Sequence, residues 1–322
     1  MKRNITIVLV VLLLGLFATA QAEEDGGYAG AYLQLSMNPR ATGMGNAYTA
    51  VSDDISAVFF NPGAAAQVQR VTFGGAYRDL SYQRSLQQLA ILFPVRGEAA
   101  IGVSAEMASM GDIVGWTSSC EPTGTLDNMD AVFSVVFSRR FSRFLSVGGD
   151  VRYYYKKLET TAANSAGFDV GGMLHLKPEA GLPAGCPIDL LRLAAVVRNI
   201  AAKYPWSSGD YWGKYGYYGT AHTDKVPVLV KVGASVLFLK SKLLLAADEE
   251  VDEKRGVKGY FGGEYKLAEQ AALRAGLSHG KPTFGVGFKV PVGKVMPSID
   301  IAVEQAQNLG GWESIFGFSL GL

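Results

Sequence analysis

Three histidines, His175, His222 and His279, are all the imidazole this 322-residue chain has to work with, and none stands in an HExxH or comparable ligand spacing. Zinc chemistry needs nitrogen or sulfur ligands converging from such spacings, so no metal centre and no cofactor are expected. Two stretches read G-x-S-x-G, one from Gly276 to Gly280 around Ser278 and one from Gly317 to Gly321 around Ser319. A serine nucleophile in that string needs a sharp strand-to-helix turn to raise its hydroxyl. The first string runs into Lys281-Pro282 and another strand-like segment, and the second sits inside the last strand-like segment, so a non-enzymatic protein is expected. Gly171-Gly172 and Gly262-Gly263 also lie inside alternating segments and read as packing glycines, not as phosphate loops.

Two cysteines, Cys120 and Cys186, would meet an oxidising compartment, but the connections that carry them fall on opposite sides of the layout below, which argues against a bond. The acidic run Asp248-Glu249-Glu250, with Asp252 and Glu253, reads as a solvated strand end before it reads as a cation site. The segment carrying Tyr204, Trp206, Tyr211, Trp212, Tyr215, Tyr217 and Tyr218 is dense in aromatics. Such side chains anchor interfaces, and they also form the girdles and loop packing of membrane barrels. Both readings stay open: a surface that docks a partner or gates a ligand, or a girdle.

The elements that must position these groups begin with a leader. Lys2 and Arg3 precede the apolar run Ile5 to Phe17, which leads into Ala20-Gln21-Ala22. A basic start, an apolar core and a small-x-small site predict a signal peptide over 1–22. The run is shorter than the ~20 apolar residues a spanning helix needs. The 30 Lys and Arg stand against 29 Asp and Glu, and two of the basic residues leave with the leader. That balance offers no basic stripe for a nucleic acid.

With 39 Gly, 15 Tyr, 16 Phe and only 18% charged residues, the chain is apolar on average yet has no long apolar run after the leader. Its hydrophobicity is instead distributed by alternation. Leu145, Val147, Gly149, Val151, Tyr153 and Tyr155 interleave with Ser146, Gly148, Asp150, Arg152, Tyr154 and Lys156. Successive strand side chains point to opposite faces, so each such strand separates two different media. Segments of this kind fall near 70–78, 85–94, 98–109, 130–140, 144–157, 166–176, 190–199, 228–238, 242–252, 257–266, 270–278, 282–290, 297–306 and 313–322. They predict an all-β membrane protein, a transmembrane antiparallel barrel of about fourteen strands over 70–322. Ten residues at ~3.3 Å each, tilted by about 40°, cover the roughly 25 Å apolar band of such a barrel. Long connections at 110–129 and 200–227 alternate with tight ones at 95–97, 141–143 and 239–241, the asymmetry of an outer-membrane barrel; the longer connection 177–189 interrupts it. A soluble β-sandwich is disfavoured, since its second face would carry more charge.

Residues 31–69 do not alternate. Tight turns and short helical pieces are expected there, with small residues that let backbones approach and a bend fixed by Pro62, so 23–69 is expected to fold into the lumen as a hatch or plug. Its run contains Arg40, Gly43-Met44-Gly45, Ala47-Tyr48-Thr49-Ala50, Asp53-Asp54 and Phe60-Asn61-Pro62-Gly63. In these motifs the chain resembles the PorV/PorQ family of outer-membrane proteins, within the FadL-like barrels. The likeness continues through Gly111-Asp112-Ile113, Phe168-Asp169-Val170-Gly171 and Val197-Arg198-Asn199-Ile200 to Val226-Pro227, with departures at Gly63 and Ala201. The resemblance implies a fourteen-stranded barrel with a hatch, in the outer membrane of a Gram-negative-type bacterium. It implies a main role as an interaction or adaptor component of type IX-like protein secretion, and as the alternative a FadL-like transporter of long-chain fatty acids or other hydrophobic molecules. The partners implied are outer-membrane lipid with secretion-system or cargo proteins, or with a hydrophobic small molecule.

Overall fold

The computed structural model describes residues 28–95, 98–111, 113–126, 128–177, 188–254, 256–306 and 311–322. The expected signal peptide and Cys186 lie outside the described residues; Cys120 is exposed and free. The strands are β1 (Thr72–Leu80), β2 (Arg84–Val95), β3 (Ala99–Met110), β4 (Ile113–Trp116), β5 (Pro122–Leu126), β6 (Asn128–Arg140), β7 (Leu145–Leu158), β8 (Thr161–Leu176) and β9 (Ile188–Ile200). They continue with β10 (Lys203–Ser207), β11 (Ala221–Lys225), β12 (Leu229–Phe238), β13 (Leu243–Asp252), β14 (Gly256–Ala268), β15 (Ala271–Ser278), β16 (Lys281–Lys289), β17 (Met296–Gln305) and β18 (Trp312–Gly321). All but the β4–β5 and β10–β11 pairs join one closed antiparallel barrel of fourteen strands, and the barrel closes where β1 pairs with β18, from Thr72↔Gly321 to Arg78↔Ile315.

Each barrel strand sits within a few residues of its predicted span. The largest displacement is β8, which starts at Thr161 because Thr161 to Ser165 pair with the outer end of β7, from Leu158 to Tyr154. The long connections are not plain loops. β4–β5 and β10–β11 are two-stranded hairpins standing on the rim, and α3 (Gly209–Gly213) lies at the tip of the second. The rim bearing them is the extracellular one by the loop asymmetry of such barrels.

The alternation places two chemistries on two faces. Outward positions such as Leu89, Ile101, Val135, Val151, Val170, Phe284, Ile299 and Phe316 are exposed. So large a contiguous apolar belt is tolerated only against lipid. Among the described residues no helix is long and apolar enough to cross a membrane; the strands do the crossing. Inward positions carry the charge. Arg152 is buried between Glu106 and Asp169, and Arg198 reaches the same Asp169 at 3.2 Å. Asp248, Glu250 and Asp252 also face inward and are buried, so the acidic run is split by the strand and not solvated as expected from the sequence. Neither G-x-S-x-G serine stands at a strand-to-helix turn: Ser278 ends β15 and Ser319 is inside β18.

Residues 30–68 pack inside the barrel, and Gln69 and Arg70, exposed, lead out to β1. Asn38 caps α1 (Pro39–Gly43), its Oδ1 accepting from the Ala41 amide at 2.9 Å, and Pro39 supplies a first helical residue that needs no amide partner. α2 (Ala57–Phe60) follows, and Asn61 then caps a 3-10 turn (Pro62–Gln67) by accepting from the Gly63 amide at 3.0 Å. A further 3-10 turn, Ala31–Gln34, crosses the lumen nearer the extracellular rim, where Leu33 packs with Val132, Tyr154, Tyr204 and Val226.

Candidate functional site

The hatch is fastened by the residues its motif contributes. Arg40 donates from Nε and Nη2 to the two oxygens of Glu264 on β14, at 2.8 and 3.0 Å, and from Nη1 to Asp53 and Asp54, at 2.6 and 2.9 Å. Bidentate guanidinium–carboxylate geometry of this kind is among the stronger polar contacts available to a protein. Arg192 on β9 reaches Asp53 from the other side at 3.4 Å. Burial alone pushes the Asp53 carboxyl up; the Arg40 and Arg192 guanidiniums outweigh it and hold Asp53 below the usual carboxylate range. Because its folded value is depressed, Asp53 contributes fully above the ordinary carboxylate value near ~4 and loses its contribution only as pH falls below that through the folded value. In planar bilayers the lumen is therefore expected to stay electrically silent from neutral pH down through ~4 and to open only in stronger acid; openings already frequent at pH ~6 would contradict this role.

Beyond Arg40 the wall grips hatch backbone. Asp248 Oδ2 accepts from the Tyr48 and Thr49 amides at 2.8 Å each, Ser235 donates to Ala50 O at 2.7 Å, and Asn61 Nδ2 donates to Thr49 O at 3.1 Å and to Gly172 O at 3.3 Å. Gly45, at φ +62°, donates its amide to Thr283 Oγ1 at 3.0 Å, and a Cβ there would run into Phe261 O and Leu277 N. Gly63 and Pro62 press on the backbone of β7 and β8 at Gly148, Gly171 and Gly172. Gly43 abuts Gly285. The structure thus brings Arg40, Asp53 and Asp54 into one ionic cluster, while Gly43, Gly45, Asn61, Pro62 and Gly63 act as backbone contacts spread along the wall.

Above the hatch, toward the extracellular rim, lies a cavity of about 810 Å³. Leu33, Met37, Phe59, Phe60 and Leu86 give it an apolar side. Arg78, Glu106, Asp130 and Lys231 give it a charged side whose ions are already matched, as where Arg78 meets Glu304 at 2.8 Å and Glu313 at 2.6 Å. Two lining residues each carry a buried acceptor with no hydrogen-bond partner, Gln34 Oε1 and Asn46 Oδ1, and neither atom is open to the cavity. An acceptor left unmatched in a buried place is costly unless something else donates to it. Sequence reading passed over both; the one visible signal is an amide, Asn46, directly after the small run Gly43-Met44-Gly45.

A second space of about 650 Å³ opens under the β10–β11 hairpin and shares Tyr28 and Lys156 with the cavity below. Here the aromatic segment divides. Tyr204 is buried, with its ring edge-on to Tyr154 and its hydroxyl donating to Asp130 at 3.1 Å, so it belongs to the roof of the lumen and not to an exposed surface. Trp206 is half-buried and donates to Asp224 at 2.9 Å. Tyr211, Trp212, Tyr215, Tyr217 and Tyr218 are exposed on the hairpin, Tyr218 completely. The alternation Lys203, Tyr204, Pro205, Trp206, Ser207 carried the signal of a strand with one buried face.

The architecture is that of solved outer-membrane channels. The monoaromatic hydrocarbon channel CymD matches with a TM-score of 0.54 at 12% identity, over 88% of this chain and 97% of that one. The Pseudomonas putida toluene transporter TodX matches with a TM-score of 0.50 at 12% identity, over 86% of this chain and 96% of that one. At such identities the likeness concerns the fold alone. No family model matches the chain, and no curated protein matches it. The closed fourteen-stranded architecture is thus shared with solved outer-membrane channels, whereas no comparison carries the PorV/PorQ assignment.

Proposed function

We propose that this protein is an outer-membrane uptake channel for small hydrophobic molecules that carry a polar group, and that the cavity above the hatch is its binding site. The observation that supports this reading best is the cavity itself, with an apolar side for the body of the ligand and polar side chains, among them Ser85, Gln88 and Ser109, for a hydroxyl or amine. Pockets of roughly 300–1,000 Å³ with a few placed polar groups are what small-molecule sites require. That CymD and TodX, channels for monoaromatic hydrocarbon and toluene, share the fold agrees with this choice.

The test is equilibrium binding of hydroxynaphthalene sulfonate, a fluorescent amphipath, to the folded protein in detergent. Ala108 lines the cavity and is half-buried. Ala108→Trp fills that space and is expected to weaken binding by at least about tenfold, ~1.4 kcal/mol. Equal affinity in the two proteins, or none in either, counts against the site.

A second reading is the secretion adaptor of PorV/PorQ type, favoured by the exposed aromatics on the β10–β11 hairpin. Exposed Trp and Tyr are enriched among residues that carry binding energy at interfaces. Changing Trp212, Tyr215, Tyr217 and Tyr218 together to alanine is expected, on this reading, to abolish co-purification of partner proteins from native outer membrane and to leave amphipath binding intact. An unchanged set of co-purifying proteins would dispose of it.

A further inference from the structure

Four spaces stand in series through the lumen. The vestibule under the β10–β11 hairpin shares Tyr28 and Lys156 with the central cavity. The central cavity shares Phe59 and Gln88 with a neck of about 50 Å³. The neck in turn shares Lys289 and Asp300 with a space of about 180 Å³ beside the β14–β15 turn, at the periplasmic rim. From this series we infer that solute leaves the central cavity downward, between the hatch and the sector β16–β17–β18–β1, and enters the periplasm beside the β14–β15 turn. The inference rests on the uptake reading above and adds to it the exit path and a restriction on the solute.

The sector differs from the rest of the wall in what it offers the hatch. Its inward positions along the neck include Gly74, Ser298, Gly317 and Ser319, small residues that add little bulk of their own and let Pro39 of the hatch approach Gly317 closely. Among the described residues, hatch residues 47–68 hydrogen-bond to β6, β8, β9, β12 and β13, through Ser138, Gly172, Arg192, Ser235 and Asp248, and to none of β1, β2, β17 or β18. Facing β2, the hatch presents Val58 and Phe59 in a cluster with Ala90 and Leu92, held by apolar contact alone. Apolar contact is non-directional and tolerates sliding; a hydrogen bond fixed to a strand does not. Residues 36–46 are, by contrast, tied to the sector through Arg78, Thr283 and Glu304, so the part of the hatch that can draw away from it without breaking polar contacts to it is 47–68.

At about 50 Å³ the neck has room for little more than a water molecule, so the path is shut at rest. Phe59 and Gln88 stand at its upper end, and Arg40, Asp54, Lys289 and Asp300 line it below. A lining of that charge receives a molecule with a hydrogen-bonding group better than a bare hydrocarbon. The solute class that follows is a small aromatic or aliphatic body bearing a hydroxyl or comparable polar group.

The experiment uses the full-length protein in proteoliposomes and reads influx of hydroxynaphthalene sulfonate, which does not cross bilayers unaided. Ser319→Cys is made in a background with Cys120→Ser and Cys186→Ser and is then labelled with a bulky, charged methanethiosulfonate. Labelling is expected to cut influx at least tenfold while amphipath binding in the central cavity is unchanged. Ser298→Phe, which fills the same neck without chemistry, is expected to do the same, and heat-modifiable gel migration reports that each variant is folded. Undiminished influx in both folded variants, with binding intact, overturns the exit path and leaves the uptake reading standing. Absence of both binding and influx in the unmodified protein overturns the uptake reading and the path with it.

Discussion

Replacing Arg40 with alanine is expected to unseat the hatch while the barrel around it stays closed. The guanidinium holds Glu264 through two parallel bonds and Asp53 and Asp54 through a third nitrogen, and its removal leaves three carboxylates in a confined space. Breaking a buried ion pair from one side costs about 3–5 kcal/mol, chiefly because the abandoned charge stays desolvated. The lower end applies here, since Arg274 still reaches Glu264 at 2.7 Å and Arg192 still approaches Asp53. Set against the ~5–15 kcal/mol that stabilises a typical fold, this is enough to populate an open lumen. Planar-bilayer recordings are expected to show large openings for Arg40→Ala where the unmodified protein is silent. Adding Asp53→Asn and Asp54→Asn should recover part of the silence by removing the orphaned charge. A silent Arg40→Ala channel would show that the backbone grips of Asp248, Ser235 and Asn61 suffice without it.

Gly45→Val is expected to be more disruptive still, through geometry and not charge. Residue 45 adopts a left-handed conformation, which costs an L-residue with a Cβ about 1–2 kcal/mol, and more when β-branched. The added carbons would also meet wall backbone, Phe261 O and Leu277 N, which has no rotamer to yield with. Overpacking of that kind adds about 1–3 kcal/mol. The matched control is Gly213→Ala on α3, where an added Cβ meets nothing within 4 Å and φ is not in the left-handed region. The valine variant should assemble at a small fraction of the normal yield by heat-modifiable migration, and the control at normal yield. Normal assembly of Gly45→Val together with a silent bilayer trace would mean that the hatch has an alternative seat.

The barrel was legible because its signal is local: a two-residue period recurs in every spanning strand, whatever pairs with it. The segment before β1 was legible as an interruption of that period. What reading along the chain does not expose is which wall residue meets which hatch residue, since Glu264 lies 224 positions from Arg40 and Asp248 lies 200 from Tyr48. The acidic run around Asp248 was misread for the same reason. Five acids within six residues suggest a solvated end until alternation is applied to them, and then Asp248, Glu250 and Asp252 all turn inward. The rim hairpins escaped notice because they cross no lipid and so display no lipid-facing row. Tyr204 was grouped with its exposed neighbours by composition, although its burial depends on Tyr154 and Asp130.

The pairing of β1 with β18 joins the two ends of the barrel sequence, and this has a kinetic meaning. Closing a loop of that length costs roughly 5 kcal/mol of chain entropy before the first bond across it forms. Folds dominated by such distant pairings form slowly. The seam is therefore the last step of assembly, and until it forms β1 and β18 present unpaired edges able to recruit foreign strands.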